Sequence, residues 1–322
     1  MGREITLGLI AIGLSVFGAF MISRFGYRLR LIDKPNIRSS HSHETPKGGG
    51  IGIAAAFLVT AVVLDMPIVF WLPIGVMAAL SLCGDRVEIS PKLRLPVQLF
   101  LMGILVFGAG VGIAHNFTRI LIALFWILFI VGTANFFNFM DGINGIAGIS
   151  GMVGFGLLAF ATYRSQHEIG LLAICMALAC VGFLPFNLPR ARVFMGDVGS
   201  IALGGVFAGL VYLVSRSVLD FLCMAAFLFP FYADELTTMI VRLRAGENLT
   251  KAHRSHIYQL LANERKIPHW KISVSYGFFQ LLIGLNVILC KTWGVGAVIT
   301  VLAFWFVVFF VGSGYVRNAR KK

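Results

Sequence analysis

Long apolar runs broken by short polar segments set the pattern of this chain. The hydrocarbon core of a bilayer, about 30 Å thick, is crossed by roughly 20 apolar residues in one helix. Runs of about 16 to 24 residues begin near Ile5, Gly50, Met66, Leu95, Thr118, Ile146, Ile169, Ser200, Val218, Ile272 and Trp293. They predict an all-α, polytopic membrane protein of about eleven transmembrane helices, with residues 1–322 forming a single integral membrane domain. The first run is not patterned as a signal peptide, which carries basic residues ahead of its apolar core. Here Arg3 beside Glu4 precedes the run, and Arg24, Arg28 and Arg30 follow it. The expectation is an uncleaved span with the N-terminus outside.

The polar segments test that count, because Lys and Arg collect in cytoplasmic loops. With the N-terminus outside, the inner segments 24–50, 84–94, 187–199 and 241–271 and the C-terminal tail hold six, three, two, seven and four basic residues. That is 22 of the 27 Lys and Arg, and the outer connections keep Arg3, Arg119, Arg164, Arg216 and Lys291. The C-terminus is then cytoplasmic. The loops near 24–50, 84–94, 138–147, 187–199 and 241–271 share that face, so any chemistry there uses a cytoplasmic reactant.

Composition agrees with a membrane protein. The chain is 58% hydrophobic and 13% charged, about half the charged fraction of a soluble domain. Its net charge of +13 fits basic loops on anionic lipid, and no nucleic-acid motif accompanies it. The five cysteines, Cys83, Cys175, Cys180, Cys223 and Cys290, lie in apolar runs without a CxxC pair. They read as small packing residues.

Carboxylates are scarce, 14 in 322 residues, and an acid at a membrane boundary is costly unless solvated, paired or bound to a cation. Asp141 lies in NFMDGING and Asp197 in FMGDVGS, each among glycines at the end of an apolar run. Asn135, Asn138, Asp141 and Asn144 recur every three residues, a spacing that drifts about 60° per step on a helix, so the four cannot share one face. They suit coordination of Mg²⁺ or hydrogen bonding to a polar substrate. The bland alternative makes Asp141 and Asp197 helix N-caps. Glycines beside Asp197 also allow exposed amides at a helix start, a phosphate site. Asp85 in CGDR is a candidate acid or a surface ion pair with a neighbouring base. Thr45-Pro46-Lys47 followed by Gly48, Gly49 and Gly50 reads as a phosphate cradle or as close helix packing. His253, Arg254 and His256 suit an anionic ligand better than a metal. Ile257, Leu260 and Leu261 can lay that stretch on the membrane interface as a short amphipathic helix. His115, His167 and His269 stand outside any motif.

Together these segments resemble one family. DKPNIRSSH with TPKGGG, GDRVEISPKLRL, NFFNFMDGINGIAG, FMGDVGS, Asp234 and AHRSHIYQ follow one another in order. The chain so resembles the polyprenyl-phosphate N-acetylhexosamine-1-phosphate transferases, glycosyltransferase family 4, and within it the O-antigen-initiating branch. The resemblance implies a bacterial inner-membrane enzyme that moves a sugar-1-phosphate from a UDP-N-acetylhexosamine to undecaprenyl phosphate and releases UMP. It implies Mg²⁺, with Mn²⁺ as the alternative. Asp197 would be the principal metal ligand, with Asp141 and Asn138 beside the metal and the lipid phosphate. Phe194 and Gly196 would contact the nucleotide, and His253, Arg254 and His256 would hold the diphosphate or sugar end. Asp85, Asp141 and Asp197 are the expected catalytic residues. Arg38, Thr45, Lys47, Lys92 and Asn144 complete the expected substrate-binding set. Asp234 matches a family acid without a defined role.

Two positions depart from the family pattern. Gly84 stands where an Asp–Asp pair is usual, which leaves the general base unassigned, and Asn144 replaces the second acid of DGxDG. A phosphate monoester has a second pKa near 6, so the lipid nucleophile is mostly a dianion at pH 7 and positioning matters more than deprotonation. Two other readings stay open: a family member that binds UDP-sugar without turnover, and a secondary transporter. A homodimer, the sugar and the polysaccharide pathway are also left open.

Overall fold

The computed structural model describes residues 2–35, 40, 43–87, 90–110, 117–248 and 253–318. Arg38 lies outside the described residues, as does His115. Thirteen α-helices are present among them, with one two-stranded antiparallel hairpin. In chain order these are α1 Gly2–Phe25, β1 Ile32–Asp33, β2 Thr45–Pro46, α2 Ile51–Val63, α3 Ile68–Arg86, α4 Pro91–Gly108, α5 Phe117–Phe139, α6 Ile146–Thr162 and α7 His167–Asn187. There follow α8 Gly196–Val214, α9 Val218–Ala225, α10 Phe229–Arg244, α11 Ile257–Asn263, α12 His269–Cys290 and α13 Val295–Asn318.

A helix begins within four residues of every start that the apolar pattern marks. Among the described residues, seven helices or helical segments are long and apolar enough to cross a membrane: α1, α3, α5, α7, α8, α12 with the turn after it, and α13. The shorter α2 and α6 are apolar as well. The protein is a multi-pass, all-α membrane protein. The run from Val218 is broken, with a 3-10 turn at Ala226–Leu228 joining α9 to α10.

The bundle is organised around α8. Fully 83% of its most apolar stretch is buried, against 6% for α13, which lies at the periphery. Helix α8 packs on α2, α3 and α5. It is built from small residues, and a side chain on Gly199 or on Gly50 would overlap the other's backbone. Close backbone approach of this kind is how membrane helices pack without a hydrophobic driving force between them. On the far side, Trp126, Phe129, Tyr212 and Phe221 form an edge-to-face aromatic cluster between α5, α8 and α9.

The polar segments gather at one end of the bundle. The β1–β2 hairpin, the ends of α3, α5 and α7 and the starts of α8 and α12 all meet there.

Candidate active site

The first turn of α8 carries Asp197, and its neighbours come from four other segments. Arg94 on α4 donates from Nη1 to Asp197 Oδ2 at 2.6 Å. Asn138, in the last turn of α5, donates from Nδ2 to Asp197 Oδ1 at 2.8 Å and lies 2.9 Å from Ser200 Oγ. Asp85, near the end of α3 and 7% exposed, accepts the Val198 backbone N–H on Oδ2 at 3.3 Å. Its Oδ1 is 3.7 Å from Lys47 Nζ. Asp85 therefore caps α8 from a different helix, satisfying one of the amides that a helix N-terminus leaves without an internal partner.

The capping alternatives for the other two acids are not realised. The N-cap of α8 is Met195 and that of α6 is Gly145, neither with a side-chain cap bond. Asp197 sits one residue inside its helix facing Arg94 and Asn138. Asp141 lies in the turn after α5. Asp85 is no surface ion pair either, because its side chain is buried.

The glycine run does not cradle a phosphate. The amides of Lys47, Gly49 and Gly50 donate to Leu31 O, Phe194 O and Met195 O at 3.0, 2.9 and 2.8 Å. Those bonds bind the first loop to the segment before α8 and bring Lys47 to Asp85. Gly196, at φ +74°, lets that segment turn into the helix.

These groups line an open cavity of about 320 Å³. Its walls include Lys47, Asp85, Asn138, Asp141, Asn144, Phe194, Gly196 and Asp197. The same cavity takes in residues to which the sequence assigned no role: Asp33, Ser40, Asn187, Gln259 and His269. Asn187 closes one wall, accepting the Gly145 N–H and donating to Val193 O at 2.9 Å. Asn144 N–H donates to His269 Nδ1 at 3.3 Å, and Ser273 Oγ donates to Asn144 O at 2.8 Å. The four residues spaced by three are thus divided. Asn135 turns to Gln98 on α4 at 2.8 Å, Asn138 to α8, and Asn144 to α12.

The acids crowd one another. Burial raises the pKa of Asp141 well above the ordinary carboxylate value, and the negative charges of Asp197 and Asp85 raise it further. Three acids thus repel one another around the cavity, with Lys47 on its wall and Arg94 paired to Asp197. The donors are oxygens, which suits a hard divalent ion.

Other expected residues lie elsewhere. Thr45 is buried in the hairpin, its hydroxyl donating to His43 O at 3.2 Å. Lys92 is exposed in the first turn of α4. His253, Arg254 and His256 do not line the cavity. His253 bonds Ser255 at 2.9 Å, and Arg254 reaches Glu264 at 3.4 Å. His256 is 3% exposed and lies 3.6 Å from Asp234 and 3.8 Å from Glu235. Burial lowers its pKa, but Asp234 and Glu235 outweigh that and leave it raised. Burial pulls His253 down to about 4, helped by the charges of His256 and Arg242. The stretch 257–263 is helical, as expected, yet it is no interfacial helix: Ile257, Tyr258 and Leu260 are buried in the protein.

Residues 67–215 match the sequence profile of glycosyl transferase family 4. The matched region holds Asp85, Arg94, Asn138, Asp141, Asn187 and Asp197, the acids and their partners just described.

The middle of the chain is thus similar to glycosyl transferase family 4.

Among the proteins the chain resembles is the undecaprenyl-phosphate alpha-N-acetylglucosaminyl 1-phosphate transferase of Thermotoga maritima. The two are 29% identical over 283 residues, 85% of this chain and 87% of that protein. The phospho-N-acetylmuramoyl-pentapeptide-transferase of Staphylococcus saprophyticus is 33% identical over 192 residues, covering 56% of this chain and 59% of its own length. The Staphylococcus aureus protein of the same name is 29% identical over 181 residues, 55% of this chain and 56% of its own. The family-4 match ends at residue 215, so Gln259 and His269 reach the cavity from beyond it.

Proposed function

We propose that this protein transfers an N-acetylhexosamine-1-phosphate from a UDP-sugar to undecaprenyl phosphate, on the cytoplasmic face of a bacterial inner membrane. In this reading eleven spans place the N-terminus outside, and the product starts a lipid-linked surface polysaccharide, O-antigen in the first instance. The observation that carries the reading is the convergence of Asp85, Asp141 and Asp197 with Lys47 and Asn138 on one open cavity, with Arg94 paired to Asp197. The names of the relatives supply the lipid and the sugar-phosphate chemistry. A transporter would place its ionisable groups near the bilayer midplane, whereas these sit at helix ends.

An oxygen of the lipid phosphate attacks the β-phosphorus of the UDP-sugar. The bond from that phosphorus to the bridging oxygen breaks, and UMP leaves with the electron pair. One phosphoanhydride replaces another, so the step is close to isoenergetic. The nucleophile is mostly dianionic at pH 7, so no base is needed to make it, and Gly84 in place of an acid is tolerated.

Asp197 and Asp141 would hold Mg²⁺, or Mn²⁺ in its place. Among the described residues no three His, Cys, Asp or Glu side chains stand close enough to form a full cage. That suits Mg²⁺, which retains waters and takes substrate phosphate oxygens. Bound there, the ion would neutralise phosphate charge. Lys47 and Arg94 add to that neutralisation, and Asn138 fixes the direction of the Asp197 carboxylate. Asp85 holds the first turn of α8, and Phe194 and Gly196 contact the nucleotide. Such pre-organised charge is where phosphoryl transfer gains most of its rate.

The test is UMP release by membranes carrying the protein, with undecaprenyl phosphate, Mg²⁺ and a panel of UDP-GlcNAc, UDP-GalNAc and 6-deoxy-N-acetylhexosamine donors. Release with one donor, abolished by Asp197→Ala, is the expected result. Full release by Asp197→Ala, or none with any donor, would overturn the reading.

A further inference from the structure

A second buried polar cluster lies behind the cavity, around Asp234 on α10. Asp234 is 0% exposed, and its carboxylate is the most heavily used acceptor described in the chain. Oδ1 accepts the Ile257 N–H at 2.9 Å and the Thr238 hydroxyl at 3.2 Å. Oδ2 accepts the Tyr276 hydroxyl at 2.7 Å and the Tyr258 N–H at 3.4 Å. His256 stands 3.6 Å away. The first two amides of α11 are therefore bound by a carboxylate from another helix. A buried acid is tolerated when several donors satisfy it. Here those donors come from α10, α11 and α12.

What α11 carries explains the arrangement. Tyr258, fully buried, donates its hydroxyl to the carbonyl of Phe139 at 2.8 Å. Phe139 is the last residue of α5, one of the residues whose carbonyls a helix C-terminus leaves without an internal partner. It lies one residue after Asn138 and two before Asp141. A Cβ on Gly142 would overlap the Tyr258 hydroxyl, so the turn that holds Asp141 rests directly on this side chain. Gln259, the next residue, lines the cavity. Asn263, at the end of α11, donates to Ser40 Oγ at 3.0 Å, and Ser40 lines the cavity too.

We propose that Asp234 and Tyr258 are positioning residues for the transfer: Asp234 docks α11, and through the Tyr258–Phe139 hydrogen bond α11 sets the end of α5 that presents Asn138 and Asp141. Neither residue touches the cavity. Their effect reaches it by geometry, because a helix end free to shift by about 1 Å costs on the order of a hundredfold in rate. This inference rests on the proposed transferase reading for its kinetic part alone.

Two variants and two readouts test it in the full-length protein. Tyr258→Phe removes one oxygen and keeps the packing. Asp234→Asn keeps one acceptor oxygen for Ile257 N–H, and Asp234→Ala keeps none. In the UMP-release assay Tyr258→Phe is expected to lower kcat about tenfold or more with KM for the UDP-sugar within about twofold of wild type. Asp234→Asn is expected to retain more activity than Asp234→Ala. The second readout is hydrogen–deuterium exchange of peptides spanning 138–145 in detergent. Exchange there is expected to quicken in Tyr258→Phe while peptides of α8 stay at the wild-type rate. Unchanged exchange at 138–145, or a kcat equal to wild type, overturns the proposal. So does a uniform rise in exchange across the bundle, which would mark Tyr258 as a general stability residue. If the wild type releases no UMP while exchange at 138–145 responds, the transferase reading fails and the structural coupling stands.

Discussion

Replacing Gly196 by alanine tests how the first turn of α8 is held without altering any charge. Gly196 has φ +74°, a left-handed backbone that costs another residue about 1–2 kcal/mol. A Cβ at this position would lie 2.6 Å from the Gly48 nitrogen and 2.7 Å from Asp85 Oδ2. The first neighbour is backbone and cannot rotate away. The second is the carboxylate that holds the Val198 amide, so moving it releases the helix end it caps. Overpacking of this kind costs about 1–3 kcal/mol. The sum, about 2–5 kcal/mol, is a large part of an ordinary domain's stability of about 5–15 kcal/mol. The least costly relief is a shift of the 194–197 segment away from the first loop. That shift takes Asp197 off Arg94 and Asn138.

The measurement is thermal unfolding of purified protein in detergent, together with UMP release at saturating substrate. Gly196→Ala is expected to melt several degrees lower and to lose activity about a hundredfold, the usual consequence of a 1 Å displacement. Gly132→Ala is the control. It lies within α5, a Cβ there meets nothing within 4 Å, and alanine is the better helix former by about 1 kcal/mol. It should melt at or above the wild-type temperature with full activity. Wild-type melting and rate in Gly196→Ala would refute the reasoning, and equal losses in both variants would show that glycine content, rather than this contact, is being measured.

Asn138→Ala removes hydrogen bonds to Asp197 and Ser200. A bond to a charged group is worth about 1.5–3 kcal/mol, so UMP release should fall about ten- to a hundredfold; a loss below twofold would show that Asp197 is oriented without it. Asp141 has its pKa raised by burial and by its acidic neighbours, so its neutral form stabilises the fold and that contribution is lost as pH rises through the folded value. In EDTA the melting temperature should therefore fall as pH climbs from the ordinary carboxylate range, Asp141→Asn should flatten the fall, and Mg²⁺ should oppose it. A wild-type profile unaltered by Asp141→Asn would sink that argument. His253 is held down to about 4, so its neutral form contributes stability above the ordinary His value of about 6.5 and loses it as pH falls toward 4. His253→Gln should resist acid unfolding across that window, and identical acid curves for the variant and the wild type would refute the assignment.

The helices were legible in the sequence because apolar runs of span length leave few alternatives in a bilayer. That the motifs meet at one end of the bundle was legible too, because they fall where apolar runs end or begin. Asp85, Asp141 and Asp197 were visible as scarce acids at helix ends. Arg94 left a usable signal that the sequence pattern did not raise to the site: with Gln98 it forms an i, i+4 polar pair in an apolar helix, and such pairs share one face. Arg94 meets Asp197 and Gln98 meets Asn135. Asn187 had a weaker signal, a polar side chain between Pro185 and Pro189 at the end of an apolar run. His269 had none beyond its place at a helix start, because nothing local says that α12 begins beside Asn144.

Asp234 shows why the remainder could not be read. In sequence it differs little from Asp85: each is an acid near the end of an apolar run, with basic residues downstream. Each also does the same physical work, since Asp85 caps α8 and Asp234 caps α11, both from across the fold. What separates them is the cavity, which Asp85 lines and Asp234 does not. Which orphan helix amides an acid will meet is settled by how helices pack, and residue spacing along one chain carries no record of it. The HRSH segment lies off the cavity for the same reason. Its histidines share the spacing of an anion or metal pair, yet the neighbouring helix end needs a partner inside the protein, and Asp234 supplies it. His256 is drawn inward with that helix, and Gln259, three residues further on, is the side chain left facing the cavity.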